Sequence, residues 1–99
     1  MIEIEEARAG HIFRDAPGHL LDTPENRRLL WETANDPAHR LGRDRYGNVW
    51  YARLLDIDSQ VWVQVRGDKI HNGGLNRPPR SYNPETGFSA RERPRGTDG

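Results

Sequence analysis

The alternation of apolar and polar positions divides the chain into a helical front and a strand-rich middle. Asp22-Thr23-Pro24-Glu25 has the form of a helix start. Thr23 suits the N-cap, Pro24 the first helical position, and Glu25 a place where the helix dipole favours an acid. Leu29, Leu30 and Ala34 share one side, with Arg27, Arg28 and Glu32 largely elsewhere, which predicts a helix over 24–34. Asn35-Asp36-Pro37 ends it, because a residue before proline disfavours helical backbone angles.

From Leu41 the period shortens. Arg45-Tyr46-Gly47-Asn48 reads as a turn, 49–55 as a strand and 56–59 as a connecting loop. Residues 60–66 alternate, with Val61, Val63 and Val65 on one face and Trp62, Gln64 and Arg66 on the other. Gly67-Asp68 is a tight turn and 69–72 a short third strand. Short connections imply antiparallel hairpins. Gly73-Gly74 and Pro78-Pro79 read as breaks, with a last short strand over 80–83. Residues 1–9 fit a short helix or a short strand equally and are set apart as an N-terminal extension. After Gly87 the chain is polar and aperiodic, so 10–87 is the expected domain and 88–99 an expected disordered tail. The predicted fold is α+β, with N-terminal helices on a small twisted antiparallel sheet.

Composition narrows this further. A chain of 99 residues allows one domain with one modest core. With no cysteine, disulfides and thiolate metal sites are excluded. The apolar runs are too short to span a bilayer. Met1–Gly10 is acidic and lacks the basic start and apolar stretch of an export signal. The expectation is action in the cytoplasm, with no membrane partner, any delivery falling to a larger parent chain. The 15 basic and 15 acidic residues cancel, but unevenly: residues 1–36 are net acidic and 66–99 net basic. All the cations but Lys69 are arginine, which suits planar phosphate contact, although a GC-rich genome gives the same bias.

The candidate chemistry begins with Gly10-His11-Ile12-Phe13-Arg14 and Gly18-His19-Leu20. Histidine titrates near neutrality, so two can serve as general base and general acid. RNA cleavage needs little more: the ribose 2′-OH is the nucleophile, and a cation such as Arg14 stabilises the charged phosphorane. The alternative is that His11 and His19 are hydrogen-bonded packing residues. His39 and His71 lack the Gly-His context and stay outside the assignment. No two histidines have the close helical pairing of a zinc site, so no metal and no cofactor is expected. A second cluster is Trp62, Gln64 and Arg66, which on an outward face would stack a base and grip a phosphate. Against this, Trp62 suits packing across to Trp50, and Arg66 suits plain solvation. The third is Asn76–Asn83, where Arg80, Ser81 and Tyr82 offer a phosphate cradle.

Together these stretches, with Asn72-Gly73-Gly74 and Pro79-Arg80-Ser81-Tyr82-Asn83-Pro84, resemble a C-terminal toxin domain of bacterial hemagglutinin-like and Rhs-type polymorphic toxins. The order of elements is similar to that of the barnase–EndoU–colicin–RelE superfamily, over about residues 10–87. The resemblance implies helices packed on a twisted sheet with the active site in the cleft between them. It implies RNA, frequently tRNA, cut to a 2′,3′-cyclic phosphate, and a cognate immunity protein. It would match His11 or His19 with Arg14 or Arg66 and with Ser81 or Tyr82. Many such toxins are basic, whereas this chain is neutral. The rival reading is a non-catalytic protein-interaction module of a bacterial or phage assembly, using Trp62, Arg66 and the 77–82 loop.

Overall fold

A computed structural model describes residues 1–89. Its elements are β1 (Glu3–Ile4), a 3-10 turn at Glu6–Arg8, α1 (Ala9–Ile12), α2 (Pro24–Ala34), a second 3-10 turn at Pro37–His39, then β2 (Arg40–Arg43), β3 (Val49–Asp56), β4 (Ser59–Arg66) and β5 (Lys69–Asn76). The fold is α+β: the helices pack on one five-stranded sheet, ordered β1-β5-β4-β3-β2. Among the described residues no helix is long and apolar enough to cross a membrane.

Helix α2 starts and stops where its sequence dictates. The Thr23 hydroxyl accepts the Asn26 N–H at 3.1 Å, and Pro24 opens the first turn. The buried face carries Leu30, Thr33 and Ala34. It meets Val61, Val63 and Val65 of β4, which with Ile12, Phe13 and Ile70 form the main core. Val61 and Val63 are wholly buried, as the alternation of β4 requires.

The sheet is mixed, which corrects the expectation of an antiparallel one. β2 to β5 are antiparallel neighbours, but β1 runs parallel to β5, pairing Glu3 with Lys69 and Ile4 with Ile70. The side chain of Asn35, just past α2, accepts the Ile2 N–H and donates to the Ile2 carbonyl, both at 2.9 Å. Residues 1–9 are therefore built into the domain rather than appended to it. Nothing within so short a stretch specifies a partner more than sixty residues away.

Three further expectations are revised. β5 continues through Gly73-Gly74 to Asn76. A Cβ on Gly74 would overlap the Gly18 carbonyl, so this glycine marks a close approach of the 13–19 loop rather than a break. Residues 80–83 form no strand, only a bridge from Asn83 to Gly87. Phe88, placed at the head of the expected tail, is buried with Trp50 and Trp62 in a second core cluster. Gly87 lies flat against the Trp50 indole, where a Cβ would collide with the ring. The tail stretch 91–99 lies outside the described residues.

Candidate active-site cleft

The face of β4 that turns away from α2 forms the floor of a cleft of about 750 Å³. One wall comes from the 3-10 turn, α1 and the loop after it, which contribute Arg8, His11, Arg14 and His19. The floor contributes Trp62, Gln64 and Arg66 from β4, with His71 and Asn72 from β5. Arg80 lines the cleft as well. The structure thus brings together seven of the nine residues singled out in the sequence.

The 13–19 loop reaches this position because its backbone substitutes for an edge strand. The Gly18 carbonyl accepts the Leu75 N–H at 3.0 Å and the Trp62 indole N–H at 3.2 Å. Phe13 anchors the near end of the loop in the core. Arg14 then stands between the two histidines. Its Nη1 lies 3.1 Å from His11 Nδ1 and its Nη2 3.1 Å from His19 Nε2. A guanidinium only donates, so both ring nitrogens accept and both imidazoles are neutral in this arrangement. His19 Nδ1 is 3.0 Å from the Ile12 carbonyl, which only accepts, so Nδ1 carries the proton. The tautomer of His19 follows from its two partners: Nδ1–H points to the backbone and the Nε2 lone pair to Arg14.

Arg66 is fixed from behind. Its Nε donates to Asn48 Oδ1 and its Nη2 to the Tyr46 carbonyl, both at 3.0 Å. Asn48 is held in turn by Asp44, which accepts from Asn48 Nδ2 at 3.0 Å and Trp50 Nε1 at 2.8 Å. The other oxygen of Asp44 takes the Tyr46 and Asn48 backbone N–H groups at 2.8 and 2.9 Å. Burial pushes the Asp44 carboxyl up, but these four donors outweigh it and hold it below the usual range. The β2–β3 turn is therefore a knot of hydrogen bonds that ends on a cleft arginine.

The three cleft histidines share one electrostatic setting. His11 is lowered by burial, then by Arg8 and Arg14. His19 is lowered by burial and by Arg14, against the opposing effect of the Ile12 and Gly73 backbone. His71 is lowered by burial, then by Arg8 and Arg66, with Glu5 acting the other way. A cleft crowded with guanidinium groups disfavours further positive charge and favours an anion.

Within and beside the cleft the remaining sequence-based candidates differ in what they can offer. Trp62 is only 7 % exposed, so it offers no open platform for a base. It packs tilted against Trp50 at 5.9 Å and edge-on to His19 at 5.8 Å between ring centres. Ser81 is exposed and does not line the cleft. Tyr82 turns its ring onto Phe88, and its hydroxyl is buried beside Gly42 with no hydrogen-bond partner among the described residues. Arg80 is held by its main chain, whose N–H donates to Gln60 Oε1 at 3.0 Å, and its Nη1 donates to the Phe88 carbonyl at 3.1 Å. Gln64 has no hydrogen bond to its side-chain amide among the described residues, which leaves it available at the cleft floor.

The sequence reading missed Arg8, His71 and the Asp44–Asn48 knot. Arg8 gave no local signal. His71 was hidden by a β-bulge: Gln64 pairs with Asn72 but Val65 with Ile70, so His71 is the extra residue. The Asp-x-x-Gly-Asn turn was the available signal for the knot. His39 lies outside the cleft, with Nδ1 3.3 Å from the Thr33 carbonyl. Among the described residues no three His, Asp or Glu side chains converge to hold a metal ion. No family model matches the chain, and neither a curated protein nor a solved structure is significantly similar to it.

Proposed function

We propose that this domain is a metal-independent endoribonuclease of the toxin type, cutting RNA by attack of the ribose 2′-OH on the adjacent phosphate. The observation that carries this reading is the Arg14 fork between His11 and His19, in a cleft that Arg66 also lines. A phosphate entering the cleft competes for Arg14, whose planar donors suit two phosphate oxygens. Once Arg14 turns to the phosphate, the Nε2 lone pair of His19 is released. The Ile12 carbonyl keeps that ring oriented, so His19 is the general base for the 2′-OH. A second imidazole must arrive protonated and give its proton to the 5′ oxygen, the role the sequence motif offers to His11. Arg14 and Arg66 stabilise the phosphorane charge. tRNA as substrate and a cognate immunity protein as partner follow from the sequence resemblance.

The test is incubation of the purified domain with total RNA in excess EDTA. Fragments ending in a 2′,3′-cyclic phosphate support the proposal; intact RNA at micromolar protein ends it. A second reading, a protein-interaction module, draws on one observation. Leu54, Leu55 and Ile57 at the tip of the β3–β4 hairpin are 59 %, 44 % and 94 % exposed. Adjacent apolar side chains left in water favour a protein contact. That reading prevails if RNA stays intact while Ile57→Asp abolishes a protein complex.

A further inference from the structure

The bulge in β5 sets His71 apart from the other two cleft histidines. Ile70 and Gly73 both lie on the core side, against Val65 and Val63. Two residues, His71 and Asn72, occupy the space between them, so both turn to the cleft side. His71 is also fixed as a residue: its carbonyl accepts Arg8 Nε at 2.9 Å, which ties the N-terminal turn to the bulge. Its ring, by contrast, makes no hydrogen bond among the described residues. His19 has both ring nitrogens engaged, and His11 has its Nδ1 on Arg14. The sheet therefore presents to the cleft floor an imidazole free at both nitrogens, on a different element from the Arg14 fork.

We infer that His71, rather than His11, is the general acid that protonates the departing 5′ oxygen. This rests on the ribonuclease reading of the cleft. In the step, His19 Nε2 takes the 2′-OH proton, the bond from O2′ to phosphorus forms and the bond from phosphorus to O5′ breaks. The His71 imidazolium gives its proton to O5′, leaving a 2′,3′-cyclic phosphate and a free 5′-hydroxyl. The two rings exchange protons with solvent to begin again.

The His11 and His71 rings are both lowered in the cleft, and they differ in that His71 has one carboxylate acting the other way. His71 is lowered by burial, then by Arg8 from the 3-10 turn and Arg66 from β4, it also faces His11, and only the Glu5 carboxylate favours its charged form. His11 faces Arg8, Arg14, His19 and His71, all of which oppose its charge. A phosphate drawn in by the arginines supplies the anion that His71 needs to hold a proton.

The experiment compares two RNA oligonucleotides in EDTA, one ordinary and one with sulfur replacing the bridging 5′ oxygen at the cut site. A thiolate leaves without a proton donor, so loss of the acid should be hidden on the sulfur substrate. His71→Gln is expected to cut ordinary RNA about 10²–10⁴-fold more slowly and the sulfur substrate within about tenfold of wild type. His19→Gln should slow both, and any slowing by His11→Gln should be the same on the two substrates, with no sulfur rescue. The alkaline limb of the wild-type pH profile should vanish in His71→Gln. His71→Asn, with the thermal midpoint of each variant, repeats the test if glutamine disturbs the bulge. Unchanged cutting of ordinary RNA by both His71 variants overturns the inference, as does equal slowing of both substrates. Sulfur rescue in His11→Gln instead would give the role to His11. Failure of the wild type to cut either substrate removes the ribonuclease reading itself.

Discussion

The two faces of β4 carry opposite tasks on one eight-residue strand. Val61, Val63 and Val65 face α2 and are almost completely buried, while Gln64 and Arg66 face the cleft with polar groups in reach of solvent. The valine face holds by area: each buried valine contributes roughly 1.5–3 kcal/mol. The cleft face holds by hydrogen bonds that aim cations at one space. Trp62 belongs to both regimes, since it faces the cleft yet is buried under His19, Trp50 and the Gly18 carbonyl. Packing on the cleft side is thus spent on positioning the 13–19 loop rather than on enlarging the core.

The largest effect is expected where a charge crosses from one face to the other. Val63→Asp places an unpaired carboxylate in the core and should leave the domain unfolded by circular dichroism. Gln64→Asp, one residue on, should fold. Equal folding of the two would show that the assignment of the faces is wrong.

The next effect tests the knot behind the cleft. Asp44→Ala strips the acceptor from the Trp50 indole and the Asn48 amide, both buried. A cost of about 1–3 kcal/mol for each donor left without a partner is expected in urea unfolding. Because Asn48 orients Arg66, RNA cutting should fall even at temperatures where the variant stays folded.

Arg14→Lys should separate geometry from charge. The lysine keeps the positive charge but cannot reach His11 and His19 with a planar fork, so cutting should drop at least about tenfold with little change in thermal midpoint. Unaltered cutting would show that charge alone suffices.

Acidification should weaken the cleft face before it touches the core. His11, His19 and His71 are all held below their ordinary value of 6.5 in the folded protein. The folded state then binds fewer protons than the unfolded chain, so stability is flat above that value and falls as pH drops through and below it. Asp44 acts in a separate window. Its carboxyl is held below the ordinary 3.8, so the stability it contributes is kept above that value and lost only as pH falls through its folded value. Thermal midpoints measured from pH 8 to pH 5 should decline more in the wild type than in a His19→Gln, His71→Gln double variant.

The smallest effect is expected at the C-terminal end. Truncation after Ala90 keeps Phe88, which closes the second core cluster, and should change stability by less than about 1 kcal/mol. Truncation after Gly87 should cost more, because it uncovers Trp50.

By itself the sequence determined the features that depend on neighbours within a few residues. The Thr23-Pro24 cap starts α2 and the proline at 37 follows its end. The valine alternation sets the buried face of β4, and Gly-His contexts mark two of the cleft histidines. Each rests on local backbone geometry or on side-chain period, which a short window of residues contains. The tertiary structure alone decided the rest. The parallel pairing of β1 with β5, the glycine contact that carries β5 past its apparent break, and the burial of Phe88 depend on partners far along the chain. So does the cleft itself: a bulge against β4 turns His71 toward its floor, and α1 with the 13–19 loop brings His11, Arg14 and His19 to its wall. A one-residue shift in a strand pairing reverses which face a side chain takes, and only the register with the neighbouring strand fixes where that shift falls.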